Sequence, residues 1–266
     1  DNYGGYGGAI LVFYGTATLI GCDISSNIVP YNNNGGAARL YYGTMIAEDT
    51  TWSDNYGGYG GAIYDEESTL SMSLCTFNSN EAYYIGGAVF SNGDASFMNC
   101  TMTSNEADQG GAIYIYDGTA TLTGCDISSN TVSYDEEGGA AHLYNSTMIA
   151  EDTTWSDNFA GSGGAIYEEG STLSLSLCTF NSNEAYSEGG AIYITENASF
   201  TTCTMTNNAA GEGGAMSVST GTTTLTGCDI SGNYVPYYAG GSGTYLYYST
   251  MTAEDTTWSD NYAGYG

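Results

Sequence analysis

Apolar and polar positions alternate along this chain in runs too short for helices. Ala112–Tyr116 reads AIYIY, and such runs are rich in Thr, Ser, Tyr and Ile and broken by Gly. That is strand chemistry interrupted by turns. The larger pattern is a period. A bulky apolar residue is followed three positions later by Asn at Ile24/Asn27, Trp52/Asn55, Phe77/Asn80, Met102/Asn105, Ile127/Asn130, Trp155/Asn158, Phe180/Asn183, Met205/Asn208, Ile230/Asn233 and Trp258/Asn261. The apolar slot thus runs Ile, Trp, Phe, Met, repeats the four, and continues with Ile and Trp.

Two further slots keep step. Five residues before the Asn stand Cys22, Cys75, Cys100, Cys125, Cys178, Cys203 and Cys228, with Thr50, Thr153 and Thr256 in the Trp-type units. Three residues further upstream lie Leu19, Ala47, Met72, Phe97, Leu122, Ala150, Leu175, Phe200, Leu225 and Ala253. Gly pairs begin at Gly7, Gly35, Gly60, Gly86, Gly110, Gly138, Gly163, Gly189, Gly213 and Gly240, in steps of 28, 25, 26, 24, 28, 25, 26, 24 and 27. Four unequal units therefore form a set that recurs.

Helical repeats need strong helix formers and few glycines. A period of this length in strand-forming residues predicts an all-β chain: a right-handed, single-stranded parallel β-helix of about ten coils of 24–28 residues with a four-coil super-repeat. Residues 1–266 read as one continuous β-solenoid, each coil with room for three short strands and three bends. Counterparts in successive coils then lie about 4.8 Å apart. Like stacks on like. The Asn ladder would satisfy its own amides, the Gly pairs would form a bend, and the Ile/Trp/Phe/Met slot would fill the interior.

GGAI stands at Gly7, Gly60, Gly110, Gly163 and Gly189, GGAV at Gly86, and FxxN at Phe77–Asn80 and Phe180–Asn183. Over nearly the whole chain these motifs resemble the GGA[ILV] and FxxN repeats of chlamydial polymorphic outer-membrane proteins and related autotransporter passengers. The resemblance implies a surface-exposed, adhesin-like β-helix. It carries no chemistry, because the motifs are structural.

Charge narrows the partners. Thirty acidic residues face one Arg, Arg39, and one His, His142, for a formal charge of −29. Such a chain cannot neutralise phosphates, which excludes nucleic acid and direct binding to anionic membranes. Cations, or surfaces read through hydroxyls and aromatic rings, remain. The chain carries no apolar run long enough for a membrane helix, no initiator Met and no signal peptide. The phrases DNYGGYG at 1–7 and DNYAGYG at 260–266 are separated by ten coils. Together these lead to the expectation of a segment of a longer array that self-associates end to end, with an axial repeat of roughly 48 Å.

The seven cysteines read as a buried thiol column. Stacked α-carbons fall within the range that disulfides span, but parallel β-carbons lie slightly far apart for a good bridge. CxxC or His spacing for a metal is absent. The acidic clusters Glu48-Asp49, Glu151-Asp152, Glu254-Asp255, Asp65-Glu66-Glu67 and Glu168-Glu169 read either as a solvated, self-repelling face or as calcium bridges within or between fibres. No other cofactor is expected. No catalytic residues are assigned: Arg39, His142 and Tyr245 are one repeating position, not a constellation. Thr16/Thr18, Thr119/Thr121 and Thr222/Thr224 recur every four coils, too sparsely for an ice lattice. Tyr3, Tyr6, Tyr41, Tyr42, Tyr83, Tyr84, Tyr237, Tyr238, Tyr247 and Tyr248 cluster near bends and could stack on sugars or on a neighbouring fibre. Glycosylation sequons stand at Asn99, Asn145 and Asn197. The sequence reading is an extracellular or cell-surface structural solenoid without enzymatic activity, forming a fibre or stalk. A glycan- or host-binding adhesin is the second reading and a polysaccharide-acting enzyme the third.

Overall fold

The computed structural model describes residues 2, 5–236 and 240–264. Tyr3, Tyr237, Tyr238 and the outer parts of the two similar end phrases lie outside the described residues. Within them every regular element is a strand, paired in parallel with its counterparts in neighbouring coils. One coil shows the plan, with strands at Ala38–Tyr41, Thr44–Glu48 and Thr51–Ser53. The next coil stacks on it in register, Thr44 opposite Thr69 and Trp52 opposite Phe77. First and second segments share an 18-stranded sheet, because they fuse into single strands at Ile63–Ser73 and Val89–Met98. Third segments form a ten-stranded sheet. Short ladders such as Phe159–Ser162 with Glu184–Glu188 run back toward the next first segment. The chain is a right-handed β-solenoid of about ten turns.

Corners are made by single residues in the left-handed region. One corner uses the residue before each Cys or Thr slot, as at Asp49, Leu74 and Asn99, and another the residue before each ladder Asn, as at Asp54, Ser79 and Ser104. Asn, Asp and Ser suit these corners because a short polar side chain can bond locally; Leu74, Leu177 and Thr202 adopt the same φ at greater cost. A bend between first and second segments, at Tyr42, Asp117 and Asn145, is also left-handed, so a coil turns at one more point than three strands require. The Gly pair supplies the remaining bend. Gly110 has φ 61°, and a Cβ on Gly111 would sit 2.2 Å from the carbonyl oxygen of Gly139 in the next coil. The first glycine answers to a dihedral, the second to close backbone approach. By this criterion the last pair is misplaced by one in the sequence reading. Gly241, with φ 72°, takes the first position and Ser242 the second, so that step is 28, not 27.

Side-chain volume explains the super-repeat. Trp52 is fully buried and shares its coil with Ala38 and Ala47; Trp155 shares its coil with Ala141 and Ala150. Coils with smaller residues in the Trp slot put larger ones elsewhere: Met102 goes with Phe97, Ile127 with Leu122 and Ile113. Each coil fills a similar cross-section with a different set, which keeps packing dense while ruling out a shift by one coil. Trp52 and Phe77 stack at 6.1 Å between ring centroids, as Trp155 and Phe180 do at 6.0 Å.

Candidate functional site

From Asn55 to Asn233 the ladder Asn are buried and fully bonded. Asn105 Nδ2 donates to Asn130 Oδ1 at 2.9 Å and to the Phe77 carbonyl at 3.1 Å. Its Oδ1 accepts from Nδ2 and from the backbone N–H of Asn80, both at 3.0 Å. The side-chain contact repeats from Asn27 through Asn55, Asn80, Asn105, Asn130, Asn158, Asn183, Asn208 and Asn233 to Asn261, at 2.9–3.1 Å. Asn2 joins it, donating to Asn27 Oδ1 at 2.8 Å. That member was missed in the sequence, where its only signal is the DN dipeptide shared with Asp54-Asn55. Every Asn-to-Asn bond points toward the C-terminal side, so the ladder has one sense and its bonds polarise one another.

All seven cysteines are free thiols; Cys75, Cys100, Cys125, Cys178, Cys203 and Cys228 are buried and Cys22 half-buried. Their S–H groups face carbonyls. Cys75 Sγ lies 3.3 Å from the Ser73 oxygen and 3.5 Å from that of Ala47. Thr153 does the same work in its coil, its hydroxyl donating to the Glu151 carbonyl at 3.0 Å and accepting from the Cys125 N–H. That is why Cys and Thr exchange in this slot. Contact between neighbouring thiols splits the column: Cys125 holds Cys100 well above the usual thiol range and Cys178 pushes Cys203 up to about 12, while Cys100 in turn lowers Cys75 to about 7 and lowers Cys125, and Cys203 lowers Cys178. Burial keeps these sulfurs from solvent reagents.

The acidic runs do not act as clusters. Asp65 points into the core, in line with Leu40 and Ser91, and Glu168 likewise with Leu143 and Ile194. Asp65 Oδ2 accepts from Ser91 Oγ at 2.6 Å, while Oδ1 has no partner among the described residues. Glu168 accepts from the N–H groups of Ser171, Thr195 (2.7 Å) and Glu196 (3.0 Å). The reason is a shortened corner: the two residues between Glu66 and Thr69 oppose the single Gly93 between Asn92 and Asp94. Dropping a residue breaks the backbone register, and at the matching Glu168 corner an interior carboxylate caps the N–H groups. Burial raises both carboxyls above their usual range. Glu66 and Glu169 face outward, Glu67 turns a corner, and Glu48-Asp49, Glu151-Asp152 and Glu254-Asp255 are exposed. Among the described residues, no three His, Cys, Asp or Glu side chains converge to hold a metal ion.

The threonine spacing is likewise corrected by register. The column through Thr16 runs Thr44, Thr69, Asp94, Thr119, Thr147, Thr172, Asn197, Thr222 and Thr250, so hydroxyls recur in nearly every coil. Asp94 interrupts it, and Glu48, Glu151 and Glu254 flank it on the same face. Charged side chains keep that face hydrated as a liquid surface is. The sequons are all exposed: Asn99 and Asn145 at left-handed corners, Asn197 in strand Asn197–Thr201.

A strip with distinctive chemistry lies beside the first segments and opens as a cavity in the first set. Its floor is the outward column Arg39, Tyr64, Phe90, Tyr114, His142, Tyr167, Tyr193, Ser217 and Tyr245. The rings stack along the axis: Tyr64–Phe90 4.9 Å, Phe90–Tyr114 5.8 Å, Tyr114–His142 4.7 Å, His142–Tyr167 4.9 Å and Tyr167–Tyr193 4.9 Å. Tyr64, Phe90 and Tyr114 meet face to face, as do Tyr167 and Tyr193, whereas His142 is tilted by 30° to Tyr114 and by 50° to Tyr167. One wall is the column Asn34, Tyr59, Ile85, Gln109, Glu137, Ser162, Glu188 and Glu212. Between Asn34, Tyr59, Ile85, Asn92 and Tyr116 the cleft opens to about 340 Å³. Burial raises Tyr114 to about 12, helped by Glu169. It also lowers His142 to about 3, partly offset by the Glu137 backbone, so that imidazole is neutral. The cleft was invisible in the sequence because recession of a strand position depends on how far the neighbouring corner protrudes.

The sequence pattern described as "Right handed beta helix region" matches residues 2–154 and 140–266. The chain belongs to this right-handed β-helix family. No curated protein and no solved structure matches it. The family includes polysaccharide-acting enzymes as well as non-enzymes, so membership assigns the β-helix its architecture and no reaction.

Proposed function

We propose that this β-helix is a structural rod of an extracellular fibre or surface stalk, lengthened by coil-on-coil stacking at its ends. The Asn ladder carries this reading. It continues unbroken from Asn2 to Asn261 with one polarity. A coil placed beyond Asn261 receives its amide hydrogen, and one placed before Asn2 supplies the donor. Strand ladders extend the same way, since open parallel edges template further strands. The high negative charge keeps the sides of neighbouring rods apart.

Electron microscopy of Asp1–Gly266 with light scattering tests the proposal. Rods whose lengths are multiples of roughly 48 Å are expected. Uniform particles of 27.8 kDa at every concentration would overturn it. The aromatic cleft of about 340 Å³ favours an adhesin as the second reading. Because the stacked rings offer edges, a glycan there would be held at the cleft walls, by Asn34, Asn92 and tyrosine hydroxyls. Saturable binding on a glycan array, lost on Asn92→Ala, would support that reading. Catalysis has weaker support: both buried carboxyls are directed to the protein's own backbone and hydroxyl donors.

A further inference from the structure

We propose that the row of carboxylates beside His142 binds a linear organic polycation, an extended chain carrying several ammonium groups. The β-helix itself displays the recognition chemistry. In the first 103-residue set, the floor slot holds Arg39, whose guanidinium carbon lies 4.6 Å from the Tyr6 ring centroid and 5.3 Å from that of Tyr64. Its Nη2 pairs with Glu66 at 3.2 Å. A cation sits between rings with a carboxylate at its side, an arrangement favourable on both counts.

The second set keeps the ring and the carboxylate, Tyr167 and Glu169, but changes the slot to His142. That imidazole is 2% exposed, and neither ring nitrogen has a hydrogen-bond partner among the described residues. Nε2 faces Glu169 at 4.0 Å. Burial holds it neutral, so Glu169 has no cation there. The wall changes in the same place. Where the first set has Asn34, Tyr59 and Ile85, the second has Glu137, Ser162 and Glu188, with Glu212 one coil on. Glu137 accepts from Gln109 Nε2 at 2.7 Å and Glu188 from Ser217 Oγ at 2.9 Å, which fixes these carboxylates in place.

The carboxylates form a row whose steps are multiples of about 4.8 Å. A row suits a string of charges better than one compact ion, and no metal-holding triad exists among the described residues. The whole chain has a single Lys or Arg, already engaged in the first set, so the counter-cation must come from outside. The proposal stands apart from the fibre role, since a solitary rod would bind equally well.

Calorimetric titration with spermine in about 0.15 M NaCl, where long-range attraction is screened, tests it. The double variant Glu137→Gln/Glu188→Gln should weaken a saturable site about tenfold or more. Glu48→Gln/Glu254→Gln removes the same charge from the threonine-bearing face and should leave binding unchanged. His142→Arg returns the slot to its first-set state and should compete with the ligand from within; circular dichroism reports whether each variant folds, and the Gln pairs suffice if the Arg variant does not. Equal weakening by both Gln pairs would mean diffuse polyanion attraction and overturn the site. So would the absence of saturable heat, or displacement of spermine by equimolar calcium.

Discussion

At the residue scale the fold depends on polar groups placed where only their own kind can satisfy them. Each interior ladder Asn, from Asn55 to Asn233, makes four bonds that no other side chain reproduces, since it must donate twice and accept twice at one corner. Asn105→Ala leaves the Asn80 backbone N–H and one Asn80 Nδ2 hydrogen unpaired in the interior, while Asn130 Oδ1 keeps the Asn105 backbone N–H. A loss of about 3 kcal/mol or more is expected by urea unfolding, each orphaned group costing ~1–3 kcal/mol. The indoles show the converse. Trp52 and Trp155 Nε1 are buried without acceptors among the described residues, whereas Trp258 Nε1 donates to Thr244 Oγ1 at 3.3 Å. Thr244 occupies the position of Ala141 and Ala38 one and two sets earlier. Ala141→Ser should supply the missing acceptor and raise stability by about 1 kcal/mol, seen as a higher midpoint. An unchanged or lower midpoint would show that the pocket cannot take the hydroxyl. Leu74, exposed and at φ 53°, should gain about 1 kcal/mol as Leu74→Asn.

At the scale of the corner and strand, titration is the sensitive probe. Asp65 and Glu168 have folded pKa values raised by burial. Their contribution to stability is complete below the ordinary carboxyl range near pH 4 and is lost as pH rises through the elevated folded values. His142 works in the opposite direction: its folded value of about 3 lies below 6.5, so stability falls as pH drops through that interval. Melting temperatures from pH 3 to 8 should separate them. Asp65→Asn should flatten the decline on the alkaline side, and His142→Phe the decline on the acid side; parallel curves for all three proteins would refute the assignment. The thiol column gives a simpler check. A thiol reagent should label the native protein at Cys22 alone and all seven cysteines after unfolding. Much of this was legible beforehand. The Asn, Cys and Gly slots announce themselves because each position admits few residue types. Asp65 and Glu168 were read as part of acidic surface runs, since acidity normally marks exposure and nothing in DEE or EE says which carboxylate turns inward. The threonine column was undercounted because T-x-T pairs were sought, while strand register aligns single threonines from unlike coils.

At the scale of the whole molecule, charge and architecture pull against each other. A rod with a formal charge of −29 gains from any condition that screens or neutralises its sides. Bundling of the proposed filaments should therefore increase with salt and with mild acid, which sedimentation measures directly; bundling insensitive to both would point to apolar lateral contacts instead. Exposed Tyr31, Tyr83, Tyr134 and Tyr186 lie on one flank and are the candidates for that alternative. Finally, the trading of bulk between Trp and Ala, Met and Phe, Ile and Leu within single coils bears on how such a gene can grow. Slippage that adds or removes a lone turn brings ill-matched neighbours together, whereas a change of four turns restores every pairing. Viable alleles of this locus should therefore differ in length by whole sets of 103 codons.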